Sequence, residues 1–251
     1  MTTPRSRLLA LVLALVLTAA ACGGGSDADG PPSSATQVPS TTADTDTEPN
    51  SEPATEPVEV VAAPVLTVDD PIAMVLRPED DLVWLAERSG LVHTVEAQAD
   101  GSLAVVGEPV LDISDRTKAS GEQGLLGMAF SADGTELYVS YTNLDGDTRL
   151  VAYDVGTPPA HDGPLDADAG SVLFELGQPF PNHNGGHVLL GSDGLLWFGL
   201  GDGGAGDDPD NRAQNPDDLH GKILRFDLSK RNSDGSATPE IVITGVRNPW
   251  R

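Results

Sequence analysis

The chain has 251 residues, a single cysteine and 39 acids against 14 bases, a formal net charge of −25. A surface this acidic argues against nucleic acid or anionic lipid as a partner and is compatible with a divalent cation or a salty habitat. One thiol excludes an internal disulfide, so the folded part must be held by core packing and bound ions.

Residues 1–22 read as a targeting segment. Arg5 and Arg7 form a short basic region, Leu8 to Leu17 an apolar run, and Thr18-Ala19-Ala20-Ala21 a small-residue stretch before Cys22. The apolar run is too short to favour a permanent span. The position of Cys22 resembles a bacterial lipobox, in which the thiol is acylated and becomes the new N-terminus, although Ala19 stands where Leu is usual. An ordinary signal peptide cleaved near Ala21 is the alternative. Residues 23–64 change to Gly, Ser, Thr, Pro, Asp and Glu without aromatic residues. Such a segment cannot bury enough apolar area to offset its chain entropy and is expected to be a disordered linker. Eight of the acids and two of the bases precede Val65, which leaves the body, residues 65–251, at −19.

The body reads as all-β. Ile72 to Leu76, Leu82 to Glu87, Leu91 to Val95, Leu137 to Tyr141, Arg149 to Val155, Leu195 to Leu200 and Ile223 to Leu228 are β-rich runs between Gly, Asp and Asn turns. Three of these units share a strand–loop–strand plan: Leu82–Leu85 with Gly90–Val92, Leu137–Ser140 with Thr148–Val151, and Leu195–Phe198 with Gly221–Leu224. They recur about every 55 to 60 residues, the size of a propeller blade. In the third unit the loop from Gly201 to His220 is long, which marks it as functional or disordered.

Around that loop the chemistry concentrates. Val188 to Leu190, a Ser192-Asp193-Gly194 turn and Leu195 to Leu200 read as a β-hairpin. With a two-residue turn, the hairpin sets His183 at its entrance beside Asp202 at its exit. A carboxylate that orients an imidazole is an arrangement used by general bases. The segment from Asp202 to Asn211 has an acidic, calcium-loop look but fails the EF-hand template, because its third and fifth positions are Gly. It reads as a solvated acidic loop. His187 and His220 lack partners at metal-ligand spacing and read as structural.

Four motifs occur in one order: Gly121-Glu122-Gln123-Gly124-Leu125-Leu126-Gly127-Met128-Ala129-Phe130, then His183-Asn184-Gly185-Gly186 with Gly201-Asp202-Gly203-Gly204, then Gly221-Lys222-Ile223-Leu224-Arg225, then Gly245-Val246-Arg247-Asn248-Pro249. Together they resemble the glucose/sorbosone dehydrogenase family. The resemblance implies a six-bladed β-propeller of the quinoprotein sugar dehydrogenase type that uses pyrroloquinoline quinone (PQQ) and calcium. It implies His183 as the base that takes the sugar hydroxyl proton, Asp202 as its partner, and Arg247 and Asn248 as quinone contacts. Glu122 stands where several members carry a quinone-touching Gln; its carboxylate is a departure, with Gln123 as the neighbouring alternative. The activity implied is oxidation of an aldose or related sugar by an exported, lipid-anchored or periplasmic protein, with the electron acceptor unspecified and no haem attachment motif present. A propeller without cofactor that binds carbohydrate or protein is the runner-up, and a calcium-dependent lactonase the third reading. At roughly 57 residues per repeat, the 187-residue body supplies a little over three blades. The expectation is a chain covering about half of the ring, with calcium ligands downstream of Arg251.

Overall fold

The computed structural model describes residues 62–159 and 163–251. The targeting segment, Cys22 and residues 23–61 of the linker lie outside the described residues. Val65–Arg251 form one compact unit with thirteen strands: β1 (Pro71–Leu76), β2 (Val83–Glu87), β3 (Leu91–Ala97), β4 (Leu103–Val105), β5 (Leu111–Asp112), β6 (Leu125–Phe130), β7 (Glu136–Thr142), β8 (Thr148–Asp154), β9 (Ser171–Leu176), β10 (Gly185–Leu190), β11 (Leu196–Leu200), β12 (Lys222–Phe226) and β13 (Pro239–Thr244). Among the described residues the only helical pieces are three single 3₁₀ turns.

The strands fall into three antiparallel meanders, β1-β2-β3-β4 with β5 also on β3, β6-β7-β8-β9, and β10-β11-β12-β13. Each is a propeller blade with its first strand innermost. The repeat legible in the sequence corresponds to the second and third strands of each blade. The first and fourth strands carried weaker signals. β6 is broken by Gly127, β10 opens on two glycines, and β13 opens on Pro239 at a sheet edge, where a missing N–H is tolerated. The run expected to reach Leu228 ends at Phe226, because the Asp227 carboxylate accepts the Ser229 N–H and starts a 3₁₀ turn.

Period-two alternation feeds two different cores from one sheet. On β7, Leu137, Val139 and Tyr141 face the first blade, whereas Tyr138 faces the third. On β8, Val151 and Tyr153 point one way and Leu150 and Ala152 the other. Edge-to-face ring pairs sit in both joints: Trp84 and Phe130 at 5.0 Å in the first, Phe174 against Phe198 at 6.2 Å and Phe226 at 5.5 Å in the second. Two arginines close the rims. Arg77, fully buried, donates to the carbonyls of Gly134 (2.8 Å) and Gly156 (2.6 Å), and Arg231 grips Glu136 through two bonds of 2.8 Å.

Candidate active site

The β10–β11 pair sets Gly185 opposite Leu200 and Leu190 opposite Leu196. The connection is longer than the expected two-residue turn: the Gly191 N–H bonds the Leu195 carbonyl, Asp193 accepts the Leu195 N–H, and Gly194 takes φ +77°. That is a three-residue hairpin loop with Gly in the left-handed position, which Ser-Asp-Gly suits. The outcome for the hairpin mouth is the same, since the residues flanking the paired Gly185 and Leu200 stay side by side.

There His183 Nδ1 lies 2.7 Å from Asp202 Oδ1, with His183 2% and Asp202 5% exposed. Asp202 Oδ1 also accepts the Gly204 N–H at 2.9 Å. With Asp202 Oδ1 as the acceptor, the Nδ1–H tautomer is assigned to the ring, which leaves the lone pair on Nε2. Nε2 has no protein partner among the described residues. His183 holds φ +55°, a left-handed value that costs a non-glycine residue on the order of 1 kcal/mol. The turn runs so close to its neighbour that a Cβ on Gly201 would stand 1.8 Å from the His183 carbonyl oxygen, which makes Gly201 obligatory there.

Two residues from other parts of the chain fix the strained turn. Glu122, in the loop before β6, accepts the His183 backbone N–H at 2.5 Å and the Asn248 Nδ2–H at 2.9 Å. Asn248, after β13, accepts the Gly185 N–H at 3.0 Å. The carbonyl of Arg247 accepts the Asp202 N–H at 2.9 Å, while its exposed guanidinium makes no hydrogen bond or ion pair with a described residue. The structure thus brings His183, Asp202, Glu122, Asn248 and the Arg247 backbone together. Gln123 is separate: it is buried, and its amide donates to the Gly146 carbonyl at 3.4 Å within the second blade. Adjacent side chains diverge as the loop enters β6, so only Glu122 reaches the His183 turn.

Beside this cluster is a cleft of about 260 Å³, lined by Ile72 of β1, Leu126 of β6 and Gly185 of β10 together with Arg88, Gly121, Glu122, Asn248, Trp250 and Arg251. It lies where the inner strands of the three blades meet. The His183 ring does not line it; the Glu122 carboxylate that holds the His183 N–H does. Arg88 is fixed by Asp70 (3.0 and 2.6 Å) and by the Gly121 carbonyl. Burial lowers the Arg251 pKa, and one of its amines donates to the Leu126 carbonyl at 3.1 Å.

Lys222 is the residue that sequence reasoning passed over. It is fully buried, and its ammonium donates to the carbonyls of Arg212 (3.0 Å), Ala213 (2.9 Å) and His220 (2.7 Å). Desolvation lowers its pKa, against the opposing pull of Asp218 and Asp208. The signal was a lysine on the inward face of β12, in register with Leu224 and Phe226. It ties the long loop to the sheet, and the adjacent Gly221 N–H bonds the Gly201 carbonyl at 2.7 Å, one residue before Asp202.

Among the described residues no group of three or more His, Cys, Asp or Glu side chains is arranged to hold a metal ion. The acids of the long loop are engaged in its own turns: Asp208 accepts the Arg212 and Ala213 N–H groups, and Asp210 pairs with Arg212. His220 has both ring nitrogens occupied, by Asp218 at 2.7 Å and the Gly177 carbonyl at 2.9 Å.

The model of the Glucose / Sorbosone dehydrogenase family matches residues 68–250. The HIPL1 protein of Arabidopsis thaliana is 39% identical over 102 residues, 32% of this chain and 15% of that protein. Human Hedgehog-interacting protein is 28% identical over 199 residues, 67% of this chain and 28% of that protein. The PQQ-bound aldose sugar dehydrogenase of Streptomyces coelicolor superposes with a TM-score of 0.53 at 26% identity, over 70% of this chain and 48% of that one. The chain therefore spans about half the length of that dehydrogenase and less than a third of the two curated relatives. With a family match across nearly the whole body, on three blades of a propeller-type sugar dehydrogenase fold, the chain belongs to the glucose/sorbosone dehydrogenase family.

Proposed function

We propose that this chain carries the proton-accepting half of a PQQ-dependent sugar dehydrogenase site, acting on an aldose or related sugar. The observation that carries the reading is the buried His183–Asp202 pair. Burying an imidazole–carboxylate pair has a desolvation cost of several kcal/mol, which a loop needed only for packing would avoid with apolar residues. Asp202 holds the ring with Nε2 unprotonated and stabilises the imidazolium once Nε2 takes a proton.

PQQ, when bound, supplies the acceptor for two electrons and one hydrogen. His183 Nε2 takes the hydroxyl proton of the substrate as the hydride leaves its carbon and the C=O bond forms, so both hydrogens and both electrons are accounted for. Arg247 and Asn248 are the groups that would hold the quinone, and the donor set fits a planar polyanion. The Arg247 guanidinium has no partner among the described residues, and the buried Asn184 amide next to His183 leaves its oxygen and nitrogen unsatisfied. The Glu122 carboxylate opposes it: its two neutral N–H donors leave its charge in place, so an anionic quinone there needs a bridging cation. Calcium belongs to the same proposal without assigned ligands. So do export and a lipid tether through Cys22 and the 23–64 linker. No helix among the described residues is long and apolar enough to cross a membrane.

The test is to incubate PQQ and calcium with a protein in which residues 65–251 are part of a completed ring, and to follow the quinone spectrum as aldoses are added. Aldose-dependent bleaching is expected, slowed by roughly 10²–10⁴ in His183→Gln. A quinone spectrum unaltered by sugar would overturn the reading. The match to Hedgehog-interacting protein, whose name records a protein partner, favours a second reading, a protein-binding propeller. In that case partner capture, and not quinone reduction, would be the activity lost on altering the cleft.

A further inference from the structure

We infer that Glu122 is a positioning residue for His183, pinning the strained turn that aims the imidazole at Asp202. The inference rests on the proposed role of His183 but concerns a residue acting through it. One carboxylate oxygen, Glu122 Oε2, accepts two bonds, from the His183 N–H at 2.5 Å and the Asn248 amide at 2.9 Å. The same Asn248 accepts the Gly185 N–H, so the turn from His183 to Gly185 is held at both ends by one linked pair of side chains. His183 needs such holding, because φ +55° is a value that a histidine leaves when released. Glu122 comes from the second blade, whereas His183 and Asp202 sit on the third, so the contact also ties the site to the joint between them.

The charged and titratable groups around the ring are few. Asp202 faces Nδ1 from the end of β11, Glu122 meets the backbone from the loop before β6, and Arg247 approaches through its carbonyl after β13. His220 reaches the Asp202 loop beside Gly203, and Arg88 and Arg251 share the cleft with Glu122.

The experiment is an NMR comparison of the full chain, with the His183 ring signals assigned by their loss in His183→Gln. Neither quinone nor sugar is present. Glu122→Gln keeps an acceptor oxygen for the His183 N–H and should keep the downfield Nδ1–H resonance of the pair. Glu122→Ala should broaden or abolish that resonance, because the turn is released. A sharp, unshifted Nδ1–H resonance in Glu122→Ala, or its loss in Glu122→Gln, would overturn the pinning. If Glu122→Ala does not fold, Glu122→Met, which keeps the side-chain length without an acceptor oxygen, makes the same comparison. Since no turnover is measured, a failure here leaves the dehydrogenase reading standing, and a chain that oxidises no sugar leaves this pinning standing.

Discussion

Lys222→Met offers the clearest measure of how the long loop is held. Methionine keeps the length and apolar stem of the side chain and removes the ammonium. Three charge-assisted bonds to carbonyls are lost, each worth about 1.5–3 kcal/mol. Two of those carbonyls keep another donor: Arg212 O has the Asn215 N–H, and Ala213 O has the Gly245 N–H. Only His220 O is left without one of these alternatives, and the variant also escapes the cost of burying a charge. The net loss is then about 2–4 kcal/mol, which for a body of 187 residues lowers Tm by about 5–15 °C. Thermal unfolding followed by circular dichroism, together with the rate of tryptic cleavage after Arg212, measures both the global and the local effect. A Tm within about 2 °C of the parent, with unchanged cleavage, would refute the clamp, because the three bonds would then be worth no more than a surface contact.

Gly201→Ala should cost at least about 3 kcal/mol and separate His183 from Asp202, while Gly206→Ala, whose Cβ would meet nothing within 4 Å, stays within about 0.5 kcal/mol; paired denaturant titrations compare them. Burial, and secondarily Arg251, lowers the His187 pKa, so below its ordinary value of about 6.5 the unfolded chain takes up protons that the folded one resists. Stability is therefore expected to rise with pH up to about 6.5 and level off, a slope that His187→Gln should flatten in Tm measurements between pH 5 and 7. Cys22→Ser should move the protein from the membrane to the soluble fraction, and unchanged fractionation would remove the lipid tether.

The sequence disclosed the second and third strands of every blade, but of the first and fourth strands only β1 and the apolar end of β10, for a physical reason. Second strands such as β7 and β11 are buried at most positions and largely apolar, which leaves a strong signal. A strand such as β13 is half exposed and opens on proline, and β6 has Gly127 where a Cβ would meet the Gly186 carbonyl oxygen at 2.3 Å. Those residues answer to the partner strand, and no local pattern reveals the partner. The site divides in the same way. His183 and Asp202 belong to one hairpin, so their approach follows from strand pairing alone. The grip of Glu122 and the inward Lys222 depend on contacts across a blade joint and a long loop, where sequence distance carries no geometric information.

That division has a consequence for the chemistry. The His183–Asp202 bond is made within the third blade, between residues that flank β10 and β11. The Glu122 bonds to His183 and Asn248 cross from the second blade, as does the Arg231–Glu136 pair at the rim of the same joint. Phe174, Phe198 and Phe226 belong to the apolar core of that joint, at about 1.5–3 kcal/mol for each buried ring. Loosening the joint would therefore release the turn from φ +55°, and with it the aim of the imidazole at its carboxylate, even with β10 and β11 still paired. The hairpin brings the candidate base and its carboxylate side by side, and the packing of one blade on the next holds the turn in the conformation that joins them.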